Sequence, residues 1–296
     1  MTTTPTTTAA TTGTVRPARP AHRQRRGSLL TALLWEVRKL ASQARTRYTL
    51  LVCLLAPVAI VAVVNSQQRP PKDSIYGRYV HESGYAVPLL VLGFAAQWVF
   101  PLLTSIVAGD IFASEDQHGT WKTILTRSVS RSTIFWAKTL ASIGFAVLTL
   151  TVFATSTISA SLLIVGRQPL EGLGGQLIPS STALPLVIAS WALALAPLLG
   201  FTGLAILLSV KSRNPAVGIV APLVIGFVMQ LAGSLGGVDL LRRFFLTTPF
   251  ESWHGLLVEH RFYGLVEQGL AVSAGWLFLC LLLAYTSLRR RDITGG

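Results

Sequence analysis

Residues 48–65 read YTLLVCLLAPVAIVAVVN, a run with no Asp, Glu, Lys or Arg. At 1.5 Å per residue such a run makes a helix about 27 Å long, close to the bilayer hydrocarbon core of about 30 Å. Five more apolar stretches follow, at roughly 86–109, 132–165, 183–210, 215–235 and 268–287, and Lys138 is the one charged residue inside any of them. The pattern predicts an all-α membrane protein with six transmembrane helices. Only KSRNP (211–215) separates the fourth stretch from the fifth, which requires a tight helical hairpin. The third stretch, at about 34 residues, would be near 50 Å long and project beyond the core.

Composition agrees. Of 296 residues 51% are hydrophobic and 12% charged, with a mean hydropathy of +0.56. A soluble domain carries about 25% charged residues. Half that supply cannot cover a globule of this size, so a single soluble domain is excluded.

The charge that remains is basic, 25 Lys+Arg against 12 Asp+Glu. With the N-terminus in the cytoplasm, the inside segments hold 18 Lys+Arg and the outside loops 7. That asymmetry orients the chain with both termini cytoplasmic. Acidic residues divide as 5 inside and 7 outside, so the net +13 belongs wholly to the inner face. The excess therefore implies no nucleic-acid partner.

Residues 1–27 are a Thr- and Arg-rich tail that buries nothing and is expected to be a disordered basic segment beside anionic lipid headgroups. Residues 28–47, SLLTALLWEVRKLASQARTR, place Leu30, Leu33, Leu34, Val37 and Leu40 on one stripe, with basic residues on the remainder. This suits an amphipathic helix lying in the membrane interface before the first span, or packed on a protein surface. Cys53 and Cys280 sit within spans in apolar surroundings, as inert thiols.

The second loop and the start of span three read GDIFASEDQHGTWKTILTRSVSRSTIFWAKTL (109–140). Ser114 with Gln117 fits a capping box, Gly119 permits a sharp change of direction, and Ser130 or Ser132 can cap the helix entering span three. A short helix from Thr120 would carry Trp121, Ile124 and Leu125 on one face. By physics alone this is either such a held amphipathic helix or a solvated loop.

The run GTWKTILTRSVSR (119–131) followed by AKTL (137–140) resembles the cytoplasmic loop of type-2 ABC transporter permeases. Glu115, Gly119, Thr120, Ser130, Arg131 and Lys138 match the family pattern. Ser128 stands where a proline is usual and Ala137 where a glycine is usual. The resemblance extends over 28–296 as a six-span permease domain. It implies that 115–128 is a coupling loop docking on a separate ATPase subunit, with Glu115, Gly119, Thr120, Trp121, Ile124, Leu125, Arg131 and Lys138 in or beside it. It further implies two ATPase subunits and a second permease chain, identical or related, in a bacterial cell membrane. ATP and Mg2+ would be held by the partner: no G-x-x-x-x-G-K-[ST] phosphate loop occurs in this chain, which is not expected to be an enzyme.

The spans carry no ionisable relay at depth, as ion-coupled transporters usually do. Gln97, beside Trp98, and Gln230 are candidates for a substrate path or a dimer contact, or for ordinary interhelical hydrogen bonds. A passage lined by aromatic and small residues suits an amphipathic or lipophilic substrate such as a drug, an antibiotic or a lipid. Pro57, Pro101, Pro197 and Pro222 lie inside spans and can kink them. The fifth loop, 236–267, is apolar, with Phe244, Phe245, Phe250 and Trp253. It reads either as a re-entrant gate in the outer leaflet or as a segment packed on other spans. A secondary transporter or channel, and a rhomboid-like protease, are the rivals. The protease lacks a paired His at membrane depth, since all five His lie in tails or loops.

Overall fold

A computed structural model describes residues 28–67, 74–121, 130–235, 237 and 239–290. In chain order the helices are α1 (Leu29–Ser42), α2 (Ala44–Ser66), α3 (Ala86–Gln97), α4 (Val99–Ala108), α5 (Ala113–Gln117) and α6 (Arg131–Ile164). They continue as α7 (Ser180–Leu193), α8 (Leu195–Ser212), α9 (Pro215–Ser234), α10 (Asp239–Arg242) and α11 (Gly264–Arg290). Two 3-10 turns cover Gly77–Tyr79 and Thr248–Leu256. The all-α expectation needs one small amendment: Leu170–Glu171 pairs antiparallel with Leu177–Ile178 in the loop after α6.

Five candidate spans are long and apolar enough to cross a membrane, and the bent pair α3–α4 makes a sixth. Their packing is inverted relative to a soluble protein. Along α2 the buried stripe is Thr46, Thr49, Cys53, Pro57 and Val61, while Leu51, Val52, Leu54, Leu55 and Val58 are exposed. In lipid the large aliphatic groups gain nothing by turning inward, so small and hydroxyl residues take the helix–helix contact. Ser156 on α6 accordingly donates to the Leu54 carbonyl at 2.5 Å. Along α6 itself Ser142, Thr149 and Thr157 donate to carbonyls one turn back, which satisfies their hydroxyls without water.

Two helix breaks have the same cause. α3 ends at Gln97 and α7 at Leu193, each four residues before a proline, Pro101 and Pro197. The proline ring removes the hydrogen bond to that carbonyl and clashes with it. Span two, a single run in the sequence, is therefore bent by 54° at Trp98. Pro57 and Pro222 lie inside unbroken helices.

The expected hairpin after α8 is present. Arg213 takes the left-handed conformation (φ 55°) that ends α8, Asn214 caps α9 through the Ala216 N–H at 2.9 Å, and Pro215 opens α9. At its other boundary, α6 is capped by Ser130, which accepts from the Thr133 N–H at 3.0 Å. Residues 28–47 do not form one helix. Gln43 is extended (ψ 130°) between α1 and α2, and its side-chain oxygen accepts two bonds from Arg45.

The chain runs back and forth, so α1, α5, the starts of α2, α6 and α9 and the ends of α4, α8 and α11 gather at one end. A core of Leu40, Phe112, Trp121, Phe135, Ile206 and Leu288 forms there. Tyr76, Leu89, Phe100, Trp191, Phe250 and Trp253 belong to a larger core towards the opposite end. Segment α7–α8 is the central element, with 67% of its apolar stretch buried against 17% for α9.

Candidate functional site

At the first end, three elements meet on buried charge. Lys138, one full turn and more into α6, is 0% exposed. Its ammonium lies 2.9 Å from Glu115 Oε1 on α5 and 3.0 Å from Glu36 Oε1 on α1. Lys39 of α1 reaches the same Glu115 oxygen at 2.6 Å. The Thr120 hydroxyl also donates to the Glu115 carboxylate, and the Thr120 N–H donates to the Glu115 carbonyl at 3.0 Å. Beside the cluster, Arg45 at the start of α2 pairs with buried Asp110, just past the end of α4.

The arrangement balances two carboxylates with two ammonium groups, as a dry site demands. Burial alone would push the Glu115 carboxyl up. Lys138, with Lys39 and Thr120, outweighs that and holds it at about 2, below its ordinary 4.5. Glu115 is thus a fixed anion, locked to α1 and to α6 at once.

Aromatic packing forms the floor of this junction. Trp121, 4% exposed, stacks on Phe112 with centroids 6.5 Å apart, and Phe112 meets Phe135 at 5.6 Å. Trp121 therefore packs into the chain's own core and presents no outward face. Its partners in the expected docking set, Ile124 and Leu125, lie outside the described residues. So does the remainder of the loop to Val129. Arg131 donates to the Arg289 carbonyl at 3.4 Å, tying the end of α11 to the start of α6. Gly119 has φ +64°, and a Cβ there would meet nothing within 4 Å. Its requirement is conformational rather than steric.

The capping box expected from Ser114 and Gln117 does not form. Helix α5 starts at Ala113, two residues before the start such a cap would set, and the N–H groups of Phe112 and Ala113 instead donate to Ser209 Oγ of α8 at 3.2 and 3.0 Å. A tertiary hydroxyl has taken the place of the local one.

The amphipathic stripe of α1 divides between two surroundings. Leu40 is buried and Leu33 half-buried against the protein, while Leu30, Leu34 and Val37 remain exposed.

Towards the opposite end, Gln97, Gln230, Phe250 and Trp253 line one cavity of about 300 Å³. Trp98 lies beside it on the bend, 49% exposed, its ring 5.3 Å from that of Phe227 on α9. The fifth loop divides: Phe250 and Trp253 are buried against the spans, Phe245 is half-buried, and Phe244 is 64% exposed. A bond from Trp276 Nε1 to the Phe244 carbonyl, 2.9 Å long, anchors the loop on α11.

A model of the ABC-2 family transporter proteins matches residues 32–230. The chain belongs to this family. The match takes in the charge cluster, the bend at Trp98 and Gln230, and it ends before the fifth loop and α11. No curated protein matches the chain. In this ABC-2 family protein the residues that sequence reasoning missed are Glu36, Lys39, Arg45 and Asp110 at the junction. At the cavity they are Tyr76, Thr247, Glu251 and His254. A signal existed for the first group: Glu36 and Lys39 flank the apolar stripe of α1, and Asp110 ends a span in a chain with only 12 acidic residues. No signal existed for Tyr76, in a loop of ordinary composition, and the apolar fifth loop drew notice to the aromatic residues around His254 rather than to His254 itself.

Proposed function

We propose that this chain is the membrane-spanning permease subunit of an ATP-driven ABC exporter. In this reading the junction end faces the cytoplasm of a bacterial cell, and a separate ATPase docks on residues 115–128. An amphipathic or lipophilic substrate passes outward at its expense of ATP. The observation that carries the reading is the charge cluster in which Glu36 and Lys39 close on the buried Glu115–Lys138 pair. A loop meant only to connect two spans needs no internal charge. A loop that is pushed and must move its neighbours benefits from rigid, directional links to each.

The route for such a push follows the contacts. Glu115 transmits to α6 through Lys138 and to α1 through Lys39, and Asp110 links α4 to α2 through Arg45. The bend at Trp98 lets α4 move against α3, and α3 supplies Leu89, Leu90, Phe94 and Gln97 to the cavity wall. Force at the junction thereby alters the cavity at the other end. The exposed side of α1 (Leu30, Leu34, Val37) would lie in the inner membrane interface. The exposed apolar side of α9, including Val220, Val224 and Leu231, offers a surface for a second permease chain.

The three buried charged residues among the described ones, Asp110, Glu115 and Lys138, all sit at the junction. That distribution supports a nucleotide-driven rather than an ion-coupled transporter. The test is reconstitution in liposomes with the ATPase, following ATP-dependent movement of a fluorescent lipophilic dye. The expected result is transport that needs both subunits and ATP. Ion movement by this chain alone under a gradient, with no response to ATP, would overturn the reading.

A further inference from the structure

The 300 Å³ cavity has a lining that selects by charge. Four of its residues are aromatic: Tyr76, Phe94, Phe250 and Trp253. Among the described residues that line it, Glu251 is the one Asp, Glu, Lys or Arg. Tyr76 and Trp253 lie with centroids 6.1 Å apart. Beside them His254 is held below its ordinary pKa because it is buried, despite the opposing pull of Glu251, so it contributes no positive charge at neutral pH. Burial likewise pushes the Tyr76 phenol up, so it stays uncharged, and its hydroxyl has no hydrogen-bond partner among the described residues.

Aromatic faces carry negative charge density at their centres, and cations with weak hydration bind against them. A carboxylate at the rim adds a full charge. Glu251 does have an internal partner, Arg242 at 3.1 Å, which lies outside the cavity. Both side chains of that pair are nearly half exposed, at 45% and 46%. Exposed pairs hold each other by about 1 kcal/mol or less, so a desolvated cation inside the cavity can displace the arginine.

We propose that this cavity binds a lipophilic monocation, its charge between Glu251 and the aromatic rings and its apolar groups against Leu89, Leu90 and Phe94. The inference rests on the exporter reading, of which it names the substrate class. It is nevertheless tested apart from it, with neither ATPase nor ATP present.

Full-length protein in lipid nanodiscs is titrated with radiolabelled tetraphenylphosphonium, and the saturable part is defined by excess unlabelled compound. Tetraphenylborate, of the same shape and opposite charge, serves as competitor. Saturable binding of the cation, without displacement by the borate, is expected in the wild type. Glu251→Gln keeps the size and exposure of the side chain and should weaken binding about tenfold. Phe94→Leu, at a position already 57% exposed, should weaken it severalfold while leaving the fold intact. No saturable binding, equal affinity in both variants and the wild type, or equal competition by the borate would each overturn the proposal. Should cation binding fail while ATP-dependent dye transport persists, only this inference falls. Should the protein bind the cation yet never engage an ATPase, the exporter reading falls instead.

Discussion

Replacing Lys138 by Met is the most direct challenge to the junction. The ammonium is 0% exposed and touches both Glu36 and Glu115, at 3.0 and 2.9 Å. Met keeps the length and apolar stem but removes the charge. Glu115 would retain Lys39 and Thr120, while Glu36 would lose its one ion-pair partner among the described residues, where its buried Oε2 already finds no hydrogen bond. Removing one member of a buried pair costs about 3–5 kcal/mol, because a carboxylate is left dry and uncompensated. The acidity of Glu115 gives a similar scale. A carboxyl held at about 2 against 4.5 corresponds to about 3 kcal/mol of preference for the folded, ionised form, at 1.36 kcal/mol per pH unit. Lys138 is its strongest attractive partner, so part of that is lost while Lys39 and Thr120 remain.

A chain of this size loses about 2–4 °C of melting temperature per kcal/mol. Lys138→Met should therefore melt roughly 6–20 °C lower in nanodiscs. The sign of the pH dependence is set by the depressed carboxyl. Its contribution is complete above about 4.5 and is lost as pH falls towards 2, so the stability difference between wild type and Glu115→Gln should be flat from neutrality down to about pH 5 and then shrink. The double variant Glu115→Gln with Lys138→Met should be less destabilised than the two single effects added together. A Lys138→Met protein that melts within a degree of wild type would refute the reasoning, as would strictly additive single effects.

Helices α4 and α9 cross backbone to backbone: a Cβ on Gly218 would lie 2.0 Å from the Gly109 carbonyl oxygen. Gly218→Val should give aggregated protein on size exclusion, whereas Gly144→Val, where a Cβ meets nothing within 4 Å, should elute normally. Gly119→Val forces a β-branched residue into a left-handed conformation, at about 1–2 kcal/mol. Co-purification of the ATPase should weaken severalfold while melting falls by roughly 2–8 °C, and Gly119→Asn, which tolerates that conformation, should retain both. Equal co-purification by both variants would remove Gly119 from the docking account.

What could be read ahead of the structure shares one property: it is local. An apolar run announces a span by itself, so all six stretches from 48–65 onward recur as helices or as the bent pair α3–α4. The α8–α9 hairpin and the Ser130 cap likewise depend on residues adjacent in the chain. Gly119 could be marked for its turn because only a few residue types accept its φ of +64°. Where a local rule competed with a distant partner, it failed. Ser114 was the obvious cap for the helix after Phe112, yet it is Ser209 Oγ, from a span nearly a hundred residues later, that accepts from the N–H groups of Phe112 and Ala113. Trp121 looked like a docking residue on a helical face, and Phe112 draws it into the core.

The amino-acid order alone thus determined which stretches are long and apolar enough to enter lipid and where the chain turns between them, because transfer of about 20 apolar residues into hydrocarbon needs no knowledge of neighbours. Only the tertiary structure decided which charges share a site and which aromatic rings share a cavity. Glu36, Glu115 and Lys138 come from three separate segments, as do Tyr76, Gln97 and Trp253. In lipid the spans are held by close packing and by satisfied polar groups rather than by expulsion of water. Which polar groups meet is a matter of geometry between helices, and no single stretch of sequence contains it.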